Sequence, residues 1–260
     1  MELNIQEQTD NKLSFTLKGV TAAYANTLRR LMLGEVPTMA IEEVTFIKNG
    51  SVLYDEILAH RLGLVVLKTD LDSYKLPKEC SCDGAGCPQC QLKLSLNVEG
   101  PATVYASDLK STDPSVVPVY PKTIIAKLLE GQKLELEAIA VLGTGNQHAK
   151  WSPGLIWYRN KEIIKVNNRS KDIDSFKDKY PKQIFNDKGL IDVKKINTPE
   201  LIDACKGVND SIIDIQFEPD TFVFTIESFG ALKAKTIVEK ALDVYNKQII
   251  NFEKEVSKLK

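Results

Sequence analysis

Seven apolar side chains near the C-terminus, Val238, Leu242, Tyr245, Ile249, Phe252, Val256 and Leu259, are spaced by alternating steps of four and three residues. That is an a/d seam held for three heptads, the pattern of a helix that packs lengthwise against another element. The spacing predicts one helix from about Leu232 to Leu259. At 1.5 Å per residue it is about 40 Å long, more than an ordinary domain covers along one face. Lys and Glu fill most of the other positions. Two arrangements satisfy such a stripe: the helix lies wholly on its own sheet, or its outer part packs against a partner chain. Phe252, Val256 and Leu259 are the hardest to bury within one small domain.

The opposite end of the chain supplies a sheet and a second helix. Leu3–Ile5 and Leu13–Leu17 alternate apolar and polar residues around Thr9-Asp10-Asn11, which predicts a β-hairpin ended by Gly19. Thr21 can cap a helix to about Leu33, whose Tyr24, Leu28, Leu31 and Met32 share one face before Gly34 and Pro37 stop it. Met39, Ile41, Val44 and Ile47 begin a strand. Asp55 is read as the N-cap of a further helix with Ile57, Leu58 and Leu62 buried and Gly63 at C′, followed by a short buried strand over Leu64–Leu67. Leu92–Val98, Leu134–Val141 and Tyr158–Val166 also read as strands. Ile213, Ile215 and Phe217, then Phe222, Phe224 and Ile226, flank Glu218-Pro219-Asp220 and predict a second hairpin. Residues 169–211 are polar, and predict a solvated surface insertion with a small core.

Four cysteines, Cys80, Cys82, Cys87 and Cys90, fall within eleven residues as C-x-C-x4-C-x2-C. Four thiolates on one tight loop suit tetrahedral zinc, and Asp83-Gly84-Ala85-Gly86 supplies the bend. Such a closed site leaves no open coordination position, so its role is structural. Disulfides, free or redox thiols and an iron–sulfur cluster are the other chemistries open to this set. Cys205 stands apart on an amphipathic stretch and reads as a small buried hydrophobe.

Composition excludes several classes. The 260 residues carry a net charge of −1 and 43% hydrophobic content, which rules out a disordered chain and argues against binding nucleic acid by bulk positive charge. No apolar run approaches the roughly 18–20 residues of a membrane span, and MELNIQEQTDNK lacks the features of a signal peptide. A soluble, cytoplasmic chain is expected. Gly143-Thr144-Gly145 lacks the third glycine of a dinucleotide fingerprint and reads as a turn. His60 and His148 read as structural residues, and no acid, base and nucleophile assemble into an active site of the chain's own.

Several longer motifs carry a resemblance. Asn26-Thr27-Leu28-Arg29-Arg30 with Val36-Pro37 and Ala40-Ile41, Leu53–Leu64, Asp113-Pro114-Ser115-Val116-Val117-Pro118 and His148-Ala149-Lys150-Trp151-Ser152-Pro153 resemble the α-like assembly subunits of multisubunit RNA polymerases. That family has members in archaeal DNA-directed RNA polymerases, and includes the third-largest subunit of eukaryotic RNA polymerase II and the N-terminal domain of bacterial α.

The resemblance implies an α+β fold. A split dimerisation domain, hairpins plus two helices, would comprise residues 1–47, 157–168 and 211–260. A mainly β insertion with the zinc loop would occupy 48–156, and a small degenerate ferredoxin-like insertion 169–210. The dimerisation domain would pair with the small α-like subunit L, followed by small subunits N and P and then the large catalytic subunits. DNA would be met only indirectly, through the assembly. By position, Asn26, Arg29 and Arg30 fall on the helix that meets the large subunits. Many relatives hold iron–sulfur clusters where residues 169–210 lie; with only Cys205 there, and Tyr180-Pro181 in place of a Cys-Pro, no cluster is expected. The alternative reading is a stand-alone zinc-containing nucleic-acid-binding transcription factor, which the cysteine loop fits and the charge does not.

Overall fold

The computed structural model describes residues 1–259 as a mixed α+β chain whose sheets pair antiparallel. Strands β1 (Glu2–Gln8) and β2 (Lys12–Lys18) form the first hairpin, closed where Thr9 N donates to the Lys12 carbonyl at 2.7 Å. Helix α1 (Ala22–Gly34) follows and buries Ala25, Leu28, Leu31 and Met32. Next come β3 (Thr38–Asn49), α2 (Asp55–Gly63), β4 (Gln91–Glu99), β5 (Ala102–Tyr105), β6 (Lys110–Ser111), β7 (Ile124–Leu128), β8 (Lys133–Gly143) and β9 (Gly154–Val166). Short α3 (Ile173–Phe176) and α4 (Pro199–Cys205) precede β10 (Ile213–Ser228) and α5 (Ala234–Val256). One four-stranded sheet runs β1-β2-β10-β9, another β3-β8-β4-β6, and β5 pairs with β7.

The chain divides into two compact units. The larger comprises Ile5–Phe15, Ala23–Tyr158 and the chain from Phe224 onward; the smaller comprises Met1–Asn4, Thr16–Ala22 and Arg159–Val223. Helices α1 and α5 therefore belong to the same unit as residues 48–156.

In the larger unit β8 is the central strand. Leu134, Leu136, Ala138, Ala140 and Leu142 are buried on one face, and Glu135, Glu137, Ile139 and Val141 between them lie on the other, less buried face. Facing β4, Leu94 sits opposite Ala138 and Leu92 opposite Ala140, so at these two positions a large side chain meets a small one. Leu58 and Leu62 of α2 join that core, along with Leu67, Val104, Val116 and Ile125.

The smaller unit has its own core of Tyr180, Ile184, Ile191, Ile196, Ile202, Cys205, Ile212 and Ile213. Asn168 fastens it by donating from Nδ2 to the Ile191 carbonyl at 2.9 Å and accepting from Ile191 N at 2.8 Å. The polar composition of residues 169–211 thus conceals an ordered interior, as expected of an insertion with a small core.

Several local expectations are corrected. The predicted second hairpin is one continuous strand, β10. Pro219 does not turn the chain, because the carbonyls beside it are engaged: Glu218 O accepts from Asn160 Nδ2, and Asp220 O from the N–H groups of Gly19 and Val20. A proline at its ordinary φ fits an extended strand where no N–H is required. What the alternation signalled was a change of phase, from odd positions to even ones, across a stretch in which Thr221 to Phe224 are all buried. Of the two hairpins expected at the ends of the chain, the described residues form the first only.

Asp55 is the first helical residue of α2 rather than its cap; the cap position is Tyr54, and Asp55 Oδ1 accepts from Asn49 Nδ2 at 2.7 Å. Its charge still suits the helix N-terminus. Ile57 is 44% exposed, leaving Leu58 and Leu62 as the buried stripe. Gly63 ends the helix without a left-handed turn, since the C-cap is Leu64 in right-handed geometry. Leu64–Leu67 forms no strand; Leu67 makes a single bridge to Pro118.

That bridge opens a loop pinned by Asp113. Its Oδ1 accepts from the N and Oγ of Ser115, both at 2.8 Å, and its Oδ2 from Tyr74 Oη at 2.8 Å. These bonds, those from Ser115 foremost, hold its carboxyl below the usual range. Burial, then the same carboxylate, pushes the Tyr74 phenol up to about 12. A depressed carboxyl contributes stability above its unfolded pKa and loses it as pH falls through the folded value. Tyr74→Phe removes one donor, so Asp113 titrates at a higher pH in carboxylate NMR. An unmoved titration would show that Tyr74 does not hold the charge.

Candidate metal centre and assembly surfaces

The four clustered cysteines sit where a 3-10 turn at Pro77–Glu79 runs into a loop and then into β4. Asp83, Gly84 and Gly86 take positive φ, which folds the loop back so that both ends face each other. Main-chain bonds from Asp83 N to Cys80 O and from Cys90 and Gln91 N to Cys87 O set each pair.

All four Sγ atoms lie within 4.8 Å of one another. Cys80–Cys87, Cys80–Cys82 and Cys82–Cys90 are each 3.5 Å apart, and Cys87–Cys90 is 3.8 Å. A tetrahedron with Zn–S bonds of about 2.3 Å needs sulfurs about 3.8 Å apart, so the donor set and its spacing fit a divalent metal. Disulfides are a poor match, since S–S bonds need about 2.05 Å and all five cysteines are free. Cys80 and Cys90 are buried, Cys82 and Cys87 half-buried. Hydrogen bonds from Cys90 and Cys80 bring the Cys82 thiol down to about 6, whereas burial pushes Cys90 up to about 12. A thiol that ionises readily beside reluctant neighbours is the electrostatic setting a cation resolves.

Helix α5 is shorter than its seam. It ends at Val256, and Leu259 lies beyond it in a turn whose N bonds to the Val256 carbonyl. The helix anchors itself through Ala234, Ile237 and Ala241, a face that the heptad reading did not single out. Along the seam, Val238 and Tyr245 are half-buried, and Tyr245 meets Tyr24 of α1 edge-on at 6.4 Å. Farther out the cover stops. Leu242 is 38% exposed, Ile249 47%, Phe252 70%, Val256 45% and Leu259 79%.

On α1, Asn26 Oδ1 accepts from Arg29 Nε at 3.2 Å and from its second terminal nitrogen at 3.0 Å. The pair holds the guanidinium fork in one orientation while Arg29 stays half-buried. Arg30 is exposed and lines a small cavity of about 170 Å³ with Thr27, Leu31, Glu35, Asn146 and Gln248. The structure therefore brings Asn26 and Arg29 together, with Arg30 turned to solvent.

The His148–Pro153 motif is a latch whose parts the sequence did not reveal. The Trp151 indole lies directly against Gly143, where a Cβ would overlap the ring, and its Nε1 donates to the Val141 carbonyl at 3.2 Å. Lys150 Nζ lies 4.3 Å from the Trp151 ring centroid, pairs with Glu42 and donates to the Ile41 carbonyl at 3.0 Å. His148 Nδ1 accepts from Lys150 N at 3.1 Å, a structural role as expected. The one available signal was Gly143 itself, a glycine ending an apolar strand.

Known proteins share these segments. Residues 41–158 match the family model described as the RNA polymerase Rpb3/RpoA insert domain. The chain is 41% identical to DNA-directed RNA polymerase subunit Rpo3 of Methanosarcina acetivorans, covering 94% of each chain. It is 39% identical to that of Archaeoglobus fulgidus over 94% of this chain and 93% of the relative. Against that of Methanosphaera stadtmanae it is 38% identical, over 97% and 98%.

The thiol set can be tested directly. Purified under reducing conditions, the protein should contain about one zinc per chain and no iron. Cys90→Ser should lower both zinc content and Tm, the latter by roughly 5–10 °C, the shift that about 2–3 kcal/mol produces in a domain of this size. Full stability with no bound metal would remove the metal from the account.

Proposed function

The chain belongs to the family of DNA-directed RNA polymerase subunit Rpo3, an assembly subunit of that enzyme, and from that premise we propose how it assembles. Its outer α5 seam docks the small α-like subunit L, and the pair forms the platform for small subunits N and P and then for the large catalytic subunits. The observation that carries this reading is the uncovered distal seam. Full burial of Ile249, Phe252 and Val256 stabilises an interface by about 1.5–3 kcal/mol each, and their exposure in a lone chain favours association. An obligate contact of this sort buries about 2,000 Å² or more, to which the hairpin contributes alongside α5.

The finer architecture belongs to the same proposal. Residues 1–47, 157–168 and 211–260 act as a split dimerisation domain built on one hairpin, the long β10 and two helices. Residues 48–156 form the mainly β insertion, and 169–210 a degenerate ferredoxin-like insertion without a cluster. Tyr180 supports this last reading: it is buried and donates from its Oη to the Asn209 carbonyl at 3.3 Å, filling space beside the buried Cys205. Arg29, oriented by Asn26, and exposed Arg30 present charge from α1 to the large subunits.

Zinc, held by Cys80, Cys82, Cys87 and Cys90, would supply a cross-link between the two ends of their loop and no chemistry on a substrate. No helix among the described residues is long and apolar enough to cross a membrane, which suits a subunit working in the cytoplasm. No catalytic residue is assigned, and nucleic acid is reached through the assembly.

Co-expression with the small α-like subunit should yield a 1:1 heterodimer on size-exclusion chromatography. Phe252→Asp with Val256→Asp should abolish co-elution while far-UV circular dichroism stays unchanged. Retained co-elution would mean that the seam is not the docking surface.

A further inference from the structure

Between residues 177 and 195 the chain carries six lysines, Lys177, Lys179, Lys182, Lys188, Lys194 and Lys195, against three aspartates, in a protein whose net charge is −1. All six are exposed, and none is ion-paired among the described residues. Of the aspartates, Asp192 is engaged by the main chain, its Oδ1 accepting from Lys194 N at 3.0 Å. Asp178 and Asp187 are exposed and leave the excess positive.

The fold brings the ends of this segment together. Asn186 N donates to the Leu190 carbonyl at 2.8 Å, Phe185 bridges to Ile191, and Asp192 N donates to the Ile184 carbonyl at 2.9 Å. These bonds make a miniature hairpin with Lys188 near its tip. Two separate segments bring further cations to its base: Lys177 Nζ lies 5.7 Å from the Phe185 ring centroid, and Lys195 Nζ donates to the Phe185 carbonyl at 2.6 Å. Leu190 and Val193, each 42% exposed, lie on this same short segment between Lys188 and Lys194.

This combination selects the kind of partner. Lysines alone would suit any polyanion. A nucleic-acid site that stacks bases needs open aromatic faces, whereas Phe176 and Phe185 are half-buried, each with a lysine over its ring. Leu190 and Val193 have nothing to offer a phosphate backbone, but apolar side chains of a peptide would cover them.

We propose that the face formed by residues 177–195 docks an acidic peptide segment of another protein, in which Asp and Glu interleave with Leu or Phe. Carboxylates meet the lysine rim, which sets orientation and association rate, and the apolar side chains cover Leu190 and Val193, which slows release. The surface lies in the smaller compact unit, whereas the α5 seam lies in the larger, so its function stands whether or not the seam reading does.

The test uses the full chain and a fluorescent synthetic peptide of interleaved Glu, Asp, Leu and Phe, alongside a serine-substituted control peptide and a DNA duplex. Fluorescence anisotropy should report binding of the first peptide in preference to the control and to DNA. Lys182→Glu with Lys194→Glu should weaken it about tenfold, as should Leu190→Ser with Val193→Ser, a change of about 1.4 kcal/mol in each case. Circular dichroism of both variants should match the parent. If DNA binds more tightly than the peptide and Leu190→Ser with Val193→Ser alters neither, the face is a nucleic-acid site and the proposal fails. Binding of neither probe overturns it equally.

Discussion

The pairing of β8 with both its neighbours is the constraint on which the larger unit rests. β3 takes its register from one edge of that strand and β4 from the other. Each Leu or Ala at alternate positions of β8 therefore fixes where two further strands can lie, because a slip by one residue would turn a buried face to water. The cysteine loop ends at the first residue of β4, opposite Val141, and the Trp151 latch closes on Gly143 at the end of β8. Thiol cluster and latch are thus held near the same end of one strand pair.

A scaffold needs parts whose positions are fixed. A thiol tetrahedron, a lysine seated on an indole and a sheet register are all devices that fix positions. The distal half of α5 is left open, with Phe252 70% and Val256 45% exposed. The proximal half belongs to the fold, since Tyr245 meets Tyr24 and Ala241 is fully buried. The heptad stripe is thus covered within its own unit along the proximal half and left open along the distal half.

Legibility in the sequence followed the range of the interaction. The hairpin at Thr9–Asn11, the two-residue periodicity of Leu92–Val98 and the four cysteines were readable because each is a local pattern with one dominant physical cause. The expected turn at Pro219 failed for a long-range reason: Gly19, Val20 and Asn160 engage the carbonyls beside it, and none is near it in sequence. Asp55 failed as a cap for a similar reason, its carboxylate being drawn to Asn49 rather than to its own helix. The basic face of residues 177–195 was also missed. Its lysines are interspersed with aspartates along the chain, so no run of like charge marks it.

The sequence by itself determined which segments alternate, which helix outruns its domain and which thiols can share a cation, since these depend on spacing along the chain. It also carried the family, through long motifs in fixed order. The tertiary structure alone decided that β10 is a single strand, that Ala234, Ile237 and Ala241 rather than the seam anchor α5, and that Trp151 lies on Gly143 beneath Lys150. Each of those outcomes depends on what a distant segment places against the residue. Hydrogen-bond partners and covering side chains are properties of the packed chain, and no local pattern encodes them.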